Sequence, residues 1–378
     1  MTTTRSTTLE RPSEHRPEQQ PPRGLRFALD PRRGVRLGPV AVPLRPRAVL
    51  VTAVMVPALL ALCAVGVFTG SVHLPADRVL AALSGSGSQL ENLVVLDHRF
   101  SRAVAAVLVG CALGCAGALT QSVTRNPIAS PDILGVASGA GFFAVLLVTQ
   151  PSIASHTGEN AATELLAPVA VLGGIVTTAV ILALAWRGGF DGLRLILVGL
   201  SVNAIALAGT SWLLTRAELE DAQIATRWLT GSLEGVRMPD VTALTPVVLC
   251  GLVLCAALAR DLGALRLGRD VAPGLGTRPG RTEALALLLA VVLVSGATAV
   301  AGPIAFVAFV APQVAMRLFG TPGPPPLAAG LTGALLVLAA DMTAQRLPAE
   351  LPVGVPTAVL GAPYLLYLLN HHRRRTSV

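Results

Sequence analysis

The stretch ALALLLAVVLVSGATAVAGPIAFVAFVAPQVAMRLF, residues 284–319, runs for 36 positions with almost nothing polar in it. As one helix it would be about 54 Å long at 1.5 Å per residue, against a hydrocarbon core of about 30 Å. The pair Gly302-Pro303 resolves the conflict. Proline lacks the N–H that a helix interior needs and clashes with the preceding turn, so one helix stops there and another begins. The stretch therefore reads as two consecutive membrane helices joined by a tight turn, placed outside the cell by the charge pattern below.

The same signature repeats outward along the chain. Apolar runs fall at about 48–69, 103–120, 133–149, 165–186, 193–214, 241–259, 284–302, 303–319, 327–345 and 353–369. Runs of this length with so few charges are membrane helices rather than core helices. Composition agrees: 53% of the 378 residues are apolar and 13% charged, too little polar surface for a soluble domain of this size. The expected fold class is all-α, a polytopic membrane protein of about ten transmembrane helices. The first run exceeds a signal-peptide core and no convincing cleavage pattern follows it, so it is read as a helix of the mature protein. The run at 133–149 is short and follows Pro131-Asp132, so it is expected to start inside the protein. Residues 1–46, rich in Arg, Pro, Thr and Glu, have no apolar periodicity and read as a cytoplasmic tail without structure. Residues 47–370 form the transmembrane domain, and 371–378 a short basic cytoplasmic tail.

All 29 basic residues are Arg; the chain contains no Lys. A P-loop needs its Lys on the β- and γ-phosphates, so this chain carries no standard one, and any ATP is hydrolysed by another subunit. The net charge of +8 is read as positive-inside bias, with no nucleic-acid partner. With the N-terminus inside, 22 of the 29 Arg fall in internal segments, and both termini are cytoplasmic. External segments 70–102 and 215–240 carry both signs of charge. Residues 215–235 pattern as a surface helix, with Trp228 and Leu229 expected to anchor at the membrane interface.

No catalytic constellation emerges. The six His lie in the tail, in external loops and at the C-terminus, never beside a Ser or Cys nucleophile. Asp341 is the one acid well inside an apolar run; Arg346 nearby is its expected partner, unless the acid lies at an outward-facing helix end. Cys63, Cys111, Cys115, Cys250 and Cys255 all lie in apolar runs and read as packing residues, without the His or acid that a metal site needs. No metal or cofactor is expected. Gln121, Asn203, Thr210, Ser211, Thr298 and Gln313 offer hydroxyls and amides that either line a passive pathway or bridge helices. Gly110-x3-Gly114 and Gly135-x3-Gly139, with Ser138 between the latter two, allow close helix approach, in a moving interface or a static one. A secondary transporter or exporter of hydrophobic compounds is the alternative function, with an intramembrane enzyme behind it. An essential carboxylate at mid-depth would favour the transporter.

Four blocks carry more specific information: RAVAAVLVGCALGCAGALTQ at 102–121 running into RNPIASPDILGVASGA at 125–140, LGRDVAPGLG at 267–276, AGPIAFVAFVAPQ at 301–313 and AELPVGVPTAVLGAP at 349–363. In order and spacing, over roughly residues 50–370, they resemble the FecCD family, permeases of binding-protein-dependent ABC importers for ferric siderophores, haem and vitamin B12. The block at 125–132 and Ala311-Pro312-Gln313 look most like the enterobactin-type permease subunit. The resemblance implies a permease translocating a ferric siderophore inward. Its partners would be separate ATP-binding cassette subunits, a second permease subunit (identical or a sister chain), an extracytoplasmic siderophore-binding protein and membrane lipid. The internal segment 266–276 would contact the ATPase through Leu267, Gly268, Arg269, Asp270, Ala272, Leu275 and Gly276. The chain departs from the family at Pro273 and Gly274, so a short or kinked coupling helix is expected. Arg99 and Arg102, on the side that positive-inside bias keeps poor in Arg, and Arg346 would meet acidic residues of the binding protein. Gly110, Gly114, Gln121, Asn126, Pro127, Gly135, Ser138, Gly139, Asn203, Gly302, Pro303 and Gln313 remain as helix-packing or pathway candidates.

Overall fold

A computed structural model describes residues 34–37, 40–43, 45–70, 72–149, 159–185, 192–347 and 351–376. Contacts divide the chain into residues 1–45 and residues 46–378. In the first unit two strands pair antiparallel, β1 (Gly34–Leu37) with β2 (Val40–Pro43), in the register Gly34 to Pro43. This short pairing lies within the tail that composition alone leaves unstructured. The remainder of that tail lies outside the described residues.

Among the described residues, the regular elements of the second unit are all helices. Its elements are α1 (Pro46–Phe68), α2 (Ala76–Leu83), α3 (Gln89–Asn92), α4 (Ser101–Thr124), α5 (Val136–Val148), α6 (Glu159–Ala185), α7 (Gly192–Arg216), α8 (Leu219–Leu229), α9 (Met238–Leu265), α10 (Pro279–Ala301), α11 (Val307–Phe319), α12 (Pro326–Arg346) and α13 (Gly354–Thr376). Wide π-helical turns over Leu93–Phe100 join α3 to α4. Seven described helices are long and apolar enough to cross a membrane. Three shorter apolar ones, Val136–Val148, Val307–Phe319 and Gly354–Leu366, take up the remaining runs read from the sequence.

The central element is α4. Residues 112–122 are all buried, and α9, α10, α11 and α12 pack around it. Its Ala, Gly and Cys side chains are small enough for backbones to meet, which is how helices associate when lipid supplies no hydrophobic drive between them. A Cβ built on Gly110 would lie 2.3 Å from the Gly333 carbonyl oxygen, and one on Gly114 2.1 Å from that of Ala329. The outer helices show the reverse pattern. Leu50, Val54 and Leu60 of α1 and Leu197, Leu200 and Ile205 of α7 are exposed apolar side chains of the kind that lipid covers.

Two of the helices that take up apolar runs are too short to span. With 13 residues each, α5 and α11 reach about 20 Å. Before α5, a 3-10 turn (Pro131–Leu134) ends at Gly135, whose φ of 69° only glycine adopts cheaply. Leu134 and Val136, on either side of Gly135, are fully buried, so the helix starts within the packed protein, as its Pro131-Asp132 lead predicts. The break at Gly302-Pro303 is present as read. α10 stops at Ala301, Gly302 takes φ 67°, and α11 resumes only at Val307 after Phe306 at φ 66°.

Candidate functional sites at the two ends of the bundle

At the end where α4 begins and α12 finishes, Arg99, Arg102 and Arg346 line one cavity of about 680 Å³. All three arginines expected at the docking face therefore come together, but each is already engaged within the chain. Arg102 grips Asp341 with two edges: Nη2 donates to Oδ1 at 2.9 Å, and Nε donates to both carboxylate oxygens at 3.1 Å. The Asp341 side chain is 1% exposed and that of Arg102 25%. Gln345, one turn further along α12, donates Nε2 to Oδ2 at 2.7 Å. The expected partner of Asp341 was Arg346; the structure gives it Arg102 instead. Arg346 donates to its own helix, to the Met342 carbonyl at 3.0 Å. Arg99 donates to the carbonyls of Val67, at 3.2 Å, and Val72, tying the π-helical turns before α4 to the end of α1 and the residues after it.

A second cavity, about 1220 Å³, opens beside α8 and the α10–α11 break, lined in part by Trp228, Ser232 and Gly302. Ser232 N–H donates to the Ala301 carbonyl at 2.8 Å, and Gly354 N–H to the Gly231 carbonyl at 3.1 Å. A Cβ on Gly302 would lie 2.5 Å from the Trp228 carbonyl oxygen, so close approach as well as positive φ requires glycine there. The expected surface helix is present but shorter, as α8. Trp228 packs beside Ala140, Ala144 and Ala170, and Leu229 beside Val145 and Leu213. Both residues therefore fasten α8 down onto α5 and its neighbours, in addition to whatever interface they meet.

Between the ends, the amide pair Gln121 and Gln313 is a bridge. Gln313 Nε2 donates to Gln121 Oε1 at 2.7 Å, and Gln121 Nε2 to the Phe309 carbonyl at 3.1 Å, with both side chains buried. Half-helix α11 is thereby pinned to α4. Asn126 accepts the Ile128 N–H at 3.0 Å in the turn carrying Pro127, and Ser138 Oγ donates to the Gly135 carbonyl at 3.2 Å. A Cβ on Gly139 would meet Thr177 Oγ1 at 2.2 Å, which marks an α5–α6 contact. Asn203, on α7, is half-buried. Pro303 closes against Gly231, whose Cβ would fall 2.4 Å from its carbonyl oxygen. Cys115 Sγ donates to the Pro326 carbonyl at 3.3 Å, a packing role as expected.

At the opposite end, the segment 266–276 links α9 to α10. Its helical part is a single 3-10 turn, Ala272–Leu275, bounded by Gly268 at φ 123° and Gly276 at φ 82°. Pro273 and Gly274 shorten it as their presence predicts. Leu267, Asp270, Val271 and Leu275 are exposed, while Ala272 is fully buried and roots the turn. Arg266 donates to the Pro324 carbonyl, and Thr277 Oγ1 to Asp261 Oδ1 at 3.2 Å. Arg269 Nη2 lies 3.0 Å from Oε2 of Glu283, a residue the sequence reading did not single out. Glu283 sits one position before the apolar run, where an acid passes for an ordinary helix-start marker.

The FecCD transport family profile matches residues 58–371. The ferric enterobactin transport system permease protein FepG of Escherichia coli (strain K12) is 40% identical over 82% of this chain and 92% of its own length. The probable siderophore transport system permease protein YfhA of Bacillus subtilis (strain 168) is 35% identical over 80% of this chain and 89% of its own. Among solved structures, an ABC transporter described as of the metal-chelate type, in an inward-facing conformation, superposes with a TM-score of 0.74 at 23% identity, covering 86% of this chain and 100% of that one. That likeness carries the fold, and the sequence matches carry the family. With its buried α4, its broken α10–α11 pair and its matched residues 58–371, the chain belongs to the FecCD transport family.

Proposed function

We propose that the chain is the permease subunit of a binding-protein-dependent ABC importer that moves a ferric siderophore inward, driven by separate ATPase subunits. The observation that carries this reading is the 40% identity to a ferric enterobactin permease across nearly that relative's full length. The absence of any Lys, and with it of a P-loop, fits a subunit served by another's ATPase. Arg-rich loops put the segment 266–276 in the cytoplasm, with its exposed Leu267, Val271 and Leu275 against the ATPase. A second permease chain completes the pathway. The cavity of Arg99, Arg102 and Arg346 then faces outward, where an acidic binding protein docks. Arg346 and Arg99, which no carboxylate neutralises within the described residues, supply its steering charge; Arg102 braces the floor through Asp341.

The test is reconstitution. The chain is placed in proteoliposomes with its ATPase, sister permease and binding protein, and ferric enterobactin is the first probe. Accumulation should require both ATP and the binding protein. Accumulation that follows an imposed proton gradient without ATP would overturn the reading in favour of secondary transport.

A further inference from the structure

The segment 266–276, with the Thr277 that follows it, is held at three points, and they differ in kind. Arg266 reaches the carbonyl of Pro324, in the link between α11 and α12. Thr277 reaches Asp261 near the end of α9. Arg269 reaches Glu283, five residues into α10. Of these three, the last alone is a pair of opposite charges, and its acid is almost wholly buried: the Glu283 side chain is 6% exposed, that of Arg269 42%. Arg125, the left-handed residue that ends α4, adds a second positive charge facing Glu283. A carboxylate taken out of water is costly, and an apolar side chain of similar volume would serve packing as well or better. What the charge adds is a defined register between the segment and the helix.

That helix is suited to carry motion. α10 runs unbroken from Pro279 to Ala301 with no proline in its interior, about 34 Å of rigid rod. It packs on α4, α6 and α9 along its length. At its far end the Ala301 carbonyl accepts the Ser232 N–H, and Gly302 touches the Trp228 carbonyl of α8 beside the second cavity. One rod therefore joins the segment at one end of the bundle to the α8 cavity at the other.

We propose that Glu283 is a positioning residue that links the segment 266–276 to α10, so that movement imposed on the segment is delivered to the Gly302 break and α8. This rests on the functional reading above, in which an ATPase moves that segment. Packed helices respond to such a push as rigid bodies, and residues along the path tune coupling without touching either ligand.

The experiment uses the complete reconstituted complex and reads chelate imported per ATP hydrolysed. Glu283→Gln and Arg269→Gln should each lower that ratio by roughly three- to thirtyfold while ATP hydrolysis persists. The double variant should be no worse than either single one, and Arg269→Lys, which keeps the charge, should retain most of the ratio. If Glu283→Gln fails to assemble, Arg269→Gln, at the more exposed end of the pair, carries the test. An unchanged ratio in an importing complex overturns this inference alone. So does a fall in hydrolysis and import together with the amount of assembled complex, which marks a merely structural pair. A wild-type complex that hydrolyses ATP and imports nothing overturns the functional reading, and this inference with it.

Discussion

Asp341 shows what a sequence can and cannot say about one residue. That an acid in the middle of an apolar run must have a cationic partner follows from the cost of burying it alone. Which partner does not follow, because the neighbour in sequence is not the neighbour in space. Arg346 lies five positions on, which at 3.6 residues per turn points it about 140° away around the helix. Gln345, four positions on, shares the face of Asp341 and does bond to it. The guanidinium comes instead from α4, 239 positions away in the chain. Arg102, which the family resemblance offers as a docking charge, bends inward within the chain to close a bidentate pair. Asp341→Asn would leave that guanidinium facing a buried site without its counter-charge, a loss of about 3–5 kcal/mol of stability. We expect a clear drop in the unfolding temperature of the detergent-purified chain, insensitive to salt. Arg102→Gln combined with Asp341→Asn should cost less than the sum of the two, because the pair acts as a unit. Additive losses in that cycle would show that the two side chains do not stabilise each other.

At the scale of elements, the ten apolar helices were legible because each is a run of apolar residues bounded by charged or polar residues, Pro or Gly. Their packing was legible only in part. The spacing of Gly110 and Gly114 announced a close helix contact without naming the partner or saying whether it moves. The partner is α12, and the approach is carbonyl to glycine on both sides, since a Cβ on Gly333 would lie 2.1 Å from the Gly110 carbonyl oxygen. Backbone meets backbone here, so nothing flexible can give way. Gly114→Ala should therefore push α4 and α12 apart and destabilise the fold, by about 1–3 kcal/mol as for other overpacked cores. Gly263, in the last turn of α9, is the control: a Cβ there has nothing within 4 Å and φ is ordinary. Gly263→Ala should be neutral, or stabilising by up to about 1 kcal/mol through the unfolded chain. Thermal unfolding of the two variants side by side checks the pair. Equal effects would mean that α4 and α12 are not in the contact described.

The whole molecule has a direction across the membrane, and here the sequence speaks more clearly than the structure. Helices pack alike whichever side faces the cytoplasm; Arg does not distribute alike, because loops rich in it are retained inside. The segment 266–276 carries Arg266 and Arg269 and lies between Arg260 on one side and Arg278 and Arg281 on the other, whereas α8 lies in a loop of mixed charge. The bundle supplies a consistent frame, since Arg99, Arg102 and Arg346 border one cavity and α8 another, and the two cavities share Ser232 and Glu234. What neither periodicity nor charge bias could give is the thread between the ends, because Glu283 reads as a helix-start acid until Arg269 is seen beside it. Orientation is open to a direct check at two exposed positions, Glu220 on α8 and Gly274 in the 3-10 turn, where a Cβ meets nothing within 4 Å. The native thiols lie within helices, with Cys250 the exposed one, so the unmodified chain sets the background. In intact cells whose outer barriers are removed, a membrane-impermeant maleimide should label Glu220→Cys and leave Gly274→Cys unlabelled. After permeabilisation both should react. The opposite pattern would place the segment 266–276 outside, reverse both termini, and remove the physical basis for assigning either end of the bundle its partner.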